Sequence, residues 1–180
     1  QKEVKPNYRC KAKDIIRIEI EEEQERKIEA ENIPLEIVHE DDHIIILNKP
    51  KGMLVHPTDH VTSNTLVNAL KYYTDKLSTV GGSERAGIVH RLDQNTSGIM
   101  VVCKDNDTHE HLKQHFQAKS VTRIYEALVF GSVKHEKGII QAPIGRNPQH
   151  RLQMAVVPEG KQAETHFKLL SKGERFSYLE

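Results

Sequence analysis

An imidazole, a guanidinium and a carboxylate stand close together in the middle of the chain, at His90, Arg91 and Asp93. Residues 93–98 are rich in turn formers, and residues 99–103 form a short apolar run with β-branched side chains. This pattern predicts a polar loop that leads into a buried strand, with Asp93 at the rim of a sheet. A single carboxylate in such a place can act as a nucleophile. It can also have a structural role only, accepting backbone N–H groups while Arg91 offsets its charge.

Residues 90–98 read His-Arg-Leu-Asp-Gln-Asn-Thr-Ser-Gly, which resembles the catalytic motif of the RluA/RluD-type pseudouridine synthases. These enzymes isomerise uridine to pseudouridine in RNA, so the resemblance implies that Asp93 is the nucleophile. It also implies that Arg91 enters the space left by the unstacked uridine and contacts phosphate, with His90 as a further RNA contact. The isomerisation is redox-neutral and needs neither ATP nor a metal, so no cofactor is expected.

Two other strings resemble motifs of the same family and flank the first in the expected order. Lys-Pro-Lys-Gly at 49–52 precedes Val-His-Pro at 55–57, and we expect Lys49 to have a structural role beside the catalytic loop rather than to contact phosphate. Arg123-x-Tyr125-x-Ala is the third motif, and its resemblance implies that Tyr125 stacks on the uracil and relays the proton leaving carbon 5, with Arg123 as an RNA contact. The alternative for Tyr125 is an ordinary strand aromatic with its hydroxyl at the surface.

A basic stretch after residue 142 completes the resemblance. Residues 143–165 contain Pro-Ile-Gly-Arg, Met-Ala-Val and Gly-Lys-x-Ala-x-Thr, which are similar to the RluD type. Arg146 and Arg151 lie in its loop and are expected to contact the RNA backbone, although a solvated hairpin would show the same charges. The partner implied is RNA, namely 23S ribosomal RNA of the large subunit.

The bulk composition agrees with a globular RNA-modifying protein. The hydrophobic fraction is 37% and no apolar run reaches the roughly 20 residues of a membrane span, so no membrane partner is expected. Formal net charge is +0, but eight Glu lie between residues 19 and 36, so the rest of the chain is basic. The two cysteines are far apart in strand-like segments, which indicates a reducing, cytoplasmic location. We expect a monomer.

The order of predicted elements favours an α+β fold, with a mixed, largely antiparallel sheet and flanking helices. Spacing alone leaves an α/β arrangement open, and the family resemblance supports α+β. The strands are predicted at 35–38, 44–47, 99–103, 121–130, 138–144, 165–170 and 176–180, and the helices at 65–73 and 108–118.

Three segments are predicted from these elements. Residues 1–20 resemble the tail of an S4-like RNA-binding domain, with an ordinary edge hairpin as the alternative. Residues 21–32 are predicted to be an acidic linker and 33–180 the catalytic domain. The resemblance implies that this domain continues past Glu180 into a motif holding a basic partner for Asp93. Its C-terminal part is therefore expected to be absent, and strand 176–180 to pair beyond the terminus.

Other function classes find less support in the sequence. His111 and His115 have the i, i+4 spacing of two zinc ligands, but no third ligand is spaced to join them, so no metal site is expected. No phosphate-binding glycine motif is present, so no nucleotide cofactor is expected either. A glycoside hydrolase would need a second carboxylate about 5–10 Å from Asp93. A non-catalytic RNA-binding fragment of a synthase is the remaining alternative.

Overall fold

The computed structural model describes residues 8–9, 11, 14–15 and 27–180. The chain divides into two compact units, Gln1–Ser120 and Val121–Glu180. Most of the predicted S4-like tail at 1–20 lies outside the described residues. None of the helices in the described part has the length and apolar character needed to cross a membrane.

The first unit is built on a three-stranded antiparallel sheet. Its strands are β1 (Glu36–Glu40), β2 (Ile44–Lys49) and β3 (Gly98–Cys103), in the order β1-β2-β3. Asp41 makes the turn between β1 and β2, because its carboxylate accepts the backbone N–H groups of His43 and Ile44 at 2.8 Å each. Residues alternate in burial along β2. The uninterrupted apolar run at 44–47 predicts a strand buried on both faces, and this is wrong for β2, which buries one face completely and the other only in part.

Two helices flank this sheet in sequence, as predicted. Helix α1 (Leu66–Tyr73) begins at Thr65, whose hydroxyl and the Asn68 side chain form a capping box. Helix α2 (Asn106–Gln117) begins at Asp105, whose carboxylate accepts the N–H of Thr108 at 2.8 Å. The spacing of Tyr73 from Leu66 and Leu70 predicts that it shares their apolar face, but Tyr73 is exposed and donates its hydroxyl to Glu40.

The core of the first unit lies between α1 and one face of the sheet. Its fully buried members come from both elements: Ile45, Leu47, Met100, Val102, Leu66, Val67 and Leu70. Burying a side chain of this size contributes roughly 1.5–3 kcal/mol, so this cluster is the main source of stability for the unit. The same core holds the start of β3 in place, directly after the loop that carries Asp93.

The described part of the predicted acidic linker packs against the first unit. Ile28 is only 4% exposed and belongs to the hydrophobic core. The side-chain amide of Asn68 donates to the carbonyl of Glu29 at 2.8 Å, and the Glu31 carboxylate accepts the N–H of Asn64. From residue 28 onward, then, this segment is docked on α1 rather than free in solvent.

The second unit is a five-stranded antiparallel sheet. The strands are β4 (Ala127–Phe130), β5 (Lys137–Arg146), β6 (Met154–Val156), β7 (Lys161–Lys172) and β8 (Phe176–Leu179), in the order β4-β8-β7-β5-β6. Strands β5 and β7 are longer than predicted, because they pair with each other over eight residues. The α+β class predicted from sequence is confirmed, with antiparallel strands in two sheets.

Two predictions for the second unit are wrong. The predicted strand 121–130 is regular only from Ala127, because β8 pairs with residues 127–130 and leaves 121–126 without a ladder. Strand 176–180 was expected to pair beyond the terminus. Instead β8 lies between β4 and β7 and is paired on both sides within the chain.

Candidate active site

The loop between residues 89 and 98 holds its side chains in two alternating sets. His90 is half-buried, Leu92 is buried, and Gln94 is hydrogen-bonded to a neighbouring turn. Arg91 and Asp93, which stand between them, are exposed. The contacts of the first three side chains fix the backbone to the first unit, whereas Arg91 and Asp93 present a cation and a carboxylate to solvent.

His90 attaches the beginning of this loop to strand β3 and helix α2. Its Nε2 accepts the backbone N–H of Val101 at 3.0 Å. Its ring stacks on Phe116, with ring centroids 4.7 Å apart and planes 17° from parallel. One hydrogen bond and one stacked ring together define both the position and the plane of the imidazole.

Gln94 attaches the other side of the loop to the Lys-Pro-Lys-Gly turn. The N–H of Gly52 donates to the carbonyl of Gln94 at 2.7 Å, and the side-chain amide of Gln94 donates to the carbonyl of Gly52 at 3.1 Å. Gly52 has φ of +92°, a conformation that side chains other than glycine rarely adopt. The turn after β2 is therefore shaped to receive the loop, and these two hydrogen bonds join the two motifs.

Lys49 lies beneath this junction and is fully buried. Its ammonium donates to the carbonyls of Pro50 and Met53, each at 2.9 Å, and to that of Gln94 at 3.3 Å. Burial lowers the pKa of Lys49, while the negative charge of Asp93 acts in the opposite direction. These contacts support the structural role expected for Lys49, since a fully buried ammonium cannot reach an RNA phosphate.

His56 is a site residue to which the sequence analysis assigned no role. Burial lowers its pKa, and the charges of Arg91 and Arg85 lower it further, so a neutral imidazole stands near Arg91. Its Nδ1 is buried and has no hydrogen-bond partner among the described residues. In the sequence, only the Val-His-Pro string marks His56, and that string does not indicate that His56 lies near Arg91.

Around Asp93 the backbone makes a closed turn. The carbonyl of Asp93 accepts the N–H of Thr96 at 3.0 Å, and the carboxylate stays exposed. The structure thus brings together His90, Arg91 and Asp93 in one braced loop. A fixed, solvent-facing carboxylate next to a guanidinium can attack an electrophilic carbon of an anionic ligand that the guanidinium helps to hold.

The other predicted contacts belong to the second unit. Arg123 and Tyr125 lie in the irregular segment before β4, where Tyr125 is 50% exposed. Arg146 ends β5, and its guanidinium donates to the carbonyl of Arg151 in the following turn at 3.4 Å. Asn147 braces the same turn by accepting the N–H groups of Gln149 and His150. Arg146 and Arg151 are therefore neighbours on one ordered hairpin.

The histidine pair on α2 makes contacts within the protein. The rings of His111 and His115 meet edge to face with centroids 4.7 Å apart, and Nδ1 of His115 lies 2.8 Å from the hydroxyl of Ser120. Across the described residues no group of three or more His, Cys, Asp or Glu side chains is arranged to hold a metal ion.

Comparison with known proteins places these features in a family. The sequence profile described as RNA pseudouridylate synthase matches residues 43–180. An uncharacterized RNA pseudouridine synthase of Aquifex aeolicus is 41% identical over 172 residues, covering 96% of this chain and 54% of the relative. Ribosomal large subunit pseudouridine synthase D of Pseudomonas aeruginosa is 46% identical over 155 residues, covering 86% of this chain and 47% of the relative.

A solved structure agrees at the level of the fold. Human RNA pseudouridylate synthase domain containing 1 superposes with a TM-score of 0.64 at 22% identity, covering 81% of this chain and 58% of that one. The chain spans about half the length of the curated relatives it matches. The profile match and the relatives confirm the RluA/RluD resemblance of the motifs, and the chain belongs to the RNA pseudouridylate synthase family.

Proposed function

We propose that the protein isomerises uridine to pseudouridine in RNA, with Asp93 as the nucleophile. The observation that carries this proposal is the braced loop, which holds an exposed carboxylate between anchors at His90 and Gln94. Large-subunit ribosomal RNA is the proposed substrate, because several relatives are named ribosomal large subunit pseudouridine synthase D.

The reaction balances without an external reagent. The bond between the ribose C1′ and uracil N1 breaks, the uracil turns, and a bond forms between C1′ and C5. The proton on C5 leaves and N1 gains one, so no electrons enter or leave. A carboxylate such as Asp93 can hold the detached half covalently while the base turns. Attack on the ribose and assisted deprotonation toward a glycal-like intermediate both assign this step to Asp93.

Five of the other predicted residues would bind the RNA. Arg91 is exposed beside Asp93, as a residue must be if it enters the space of an unstacked uridine and contacts phosphate. Tyr125 exposes half of its surface, which suits stacking on a base, and Arg123 is exposed two residues before it. Arg146 and Arg151 would contact the phosphate backbone from their hairpin.

The test is the substitution Asp93→Asn in the full-length protein, with Asp75→Asn as the matched control at another exposed carboxylate. Tritium release from C5-labelled ribosomal RNA should fall below detection for Asp93→Asn and stay at the wild-type level for Asp75→Asn. RNA affinity should change by less than a few-fold in both. Substantial turnover by Asp93→Asn would refute the assignment of the nucleophile.

A non-catalytic RNA-binding module is the second candidate, because the chain spans only about half of its relatives. If the protein has that function, the wild type should bind RNA but release no tritium from any uridine of the substrate. We further propose a cytoplasmic monomer, with an S4-like domain whose tail is residues 1–20.

A further inference from the structure

We propose that His90 is a positioning residue, which acts on Asp93 through the loop and does not itself contact RNA. The sequence motif groups His90 with the RNA contacts, and its observed partners point to this different role. The proposal rests on the proposed function of Asp93 as nucleophile.

The first argument is the edge of strand β3. On the side away from β2, the N–H of Cys103 donates to the carbonyl of Gly87 at 2.9 Å. Two residues earlier, the N–H of Val101 faces the same edge, since backbone groups in a strand repeat every second residue. There the acceptor is Nε2 of His90 at 3.0 Å. The segment that starts at Gly87 thus offers β3 a backbone carbonyl at Cys103 and an imidazole nitrogen, in place of a carbonyl, at Val101.

The second argument is the chemistry of the ring. A nitrogen that accepts an N–H carries no proton, so the imidazole is neutral in this arrangement. This neutral imidazole carries no positive charge for a phosphate, and its Nε2 is already occupied by the N–H of Val101. The stack on Phe116 holds the ring in that orientation from the side of α2. Both contacts are made to the protein.

The third argument is the short path from His90 to Asp93. Leu92 is buried between them, and the far side of Asp93 is bound through Gln94 to Gly52. With the loop held at both sides, the carboxylate has little freedom to move. If the first anchor is lost, the backbone at 90–92 can shift. A displacement of about 1 Å at a reacting group can lower a rate by roughly 10²-fold.

The experiment separates the two contacts of the ring in the full-length protein. His90→Phe keeps an aromatic ring for Phe116 and removes the acceptor, whereas His90→Gln supplies an acceptor near the Nε2 position without the ring. His111→Gln on α2 is the control. We expect kcat on ribosomal RNA to fall about 10²-fold for His90→Phe, with RNA affinity within about 2-fold, and His90→Gln to recover at least about 10-fold of that loss. His111→Gln should match wild type.

A second readout does not depend on activity. Amide hydrogen exchange at Val101 should accelerate in His90→Phe, while exchange at Cys103, which is bonded to Gly87, stays unchanged. Unchanged exchange at Val101 would overturn the proposal, as would a loss of RNA affinity with kcat preserved. If Asp93→Asn is inactive but His90→Phe is fully active, His90 alone is misassigned. If Asp93→Asn is active, the proposed function itself fails.

Discussion

Replacing Lys49 by methionine tests whether the turn after β2 is held by a buried charge. In the protein as it stands, the ammonium binds the carbonyls of Pro50, Met53 and Gln94. Methionine retains a similar hydrocarbon chain and therefore most of the packing. All three carbonyls lose the ammonium. Gln94 keeps its 2.7 Å bond from the N–H of Gly52, so the loss is felt at the carbonyls of Pro50 and Met53.

The expected magnitude follows from these two acceptors. An unpaired buried acceptor costs about 1–3 kcal/mol, and both bonds are partly buried, so the lower end applies and gives about 2 kcal/mol in total. Removing the charge returns part of this loss, because burial lowers the pKa of Lys49 and so opposes its charged form. We expect a net destabilisation of about 1–2 kcal/mol. Lys51→Met, at an exposed position in the same turn, should change stability by less than about 0.5 kcal/mol.

Hydrogen exchange of the core amides of β2 and β3 is the suitable assay, because it reports opening of the first unit alone. A further check is the difference in stability between wild type and Lys49→Met as pH rises. A lysine whose folded pKa lies below its unfolded value gives the wild type increasing stability as pH rises through that lowered pKa. The variant should lack this increase. Equal stabilities of Lys49→Met and Lys51→Met would show that the ammonium does not hold the turn.

Two further predictions concern charge. Replacing Arg146 and Arg151 together by Gln should reduce the slope of log K against log salt for RNA binding by about 0.7–0.9 per lost phosphate contact. As a control, replacing Lys134 and Lys137 by Gln should leave the slope unchanged. An unchanged slope for the arginine variant would place the hairpin away from RNA. The pKa of His43 is raised above 6.5, chiefly by its 3.0 Å hydrogen bond to Asp105, so the stability this pair contributes is present at lower pH and is lost as pH rises through the folded pKa of His43. NMR titration should show His43 above 6.5 in wild type and near it in Asp105→Asn; an unshifted wild-type value would contradict the pairing.

Much of the first unit could be predicted from local patterns. The apolar runs around Ile45 and Met100, the cap at Thr65 and the turn formers after Asp93 are short-range signals, and the structure confirms the elements that they indicate. The motif strings likewise placed His90, Arg91 and Asp93 in one loop. Ile28 escaped prediction because a single apolar residue in a charged run has no periodicity to reveal it.

What the sequence did not reveal depends on contacts between distant residues. The buried state of Lys49 follows from carbonyls at Met53 and Gln94, and the acceptor role of His90 from an amide on a strand that comes later in the chain. The position of β8 between β4 and β7 is set by register across the whole second unit. Local propensities do not determine the order of strands in a sheet, and so they could not predict that β8 lies between β4 and β7.

The placement of β8 affects the order in which the second unit can assemble during translation. Strand β4 stands at the sheet edge and its neighbour is β8, which is translated only after β5, β6 and β7. At roughly 5–20 residues per second, β4 waits some seconds for that neighbour. During this interval its backbone groups and the side chains of Leu128 and Phe130 are open to other chains. Slower translation between these strands would prolong the interval and favour aggregation over folding.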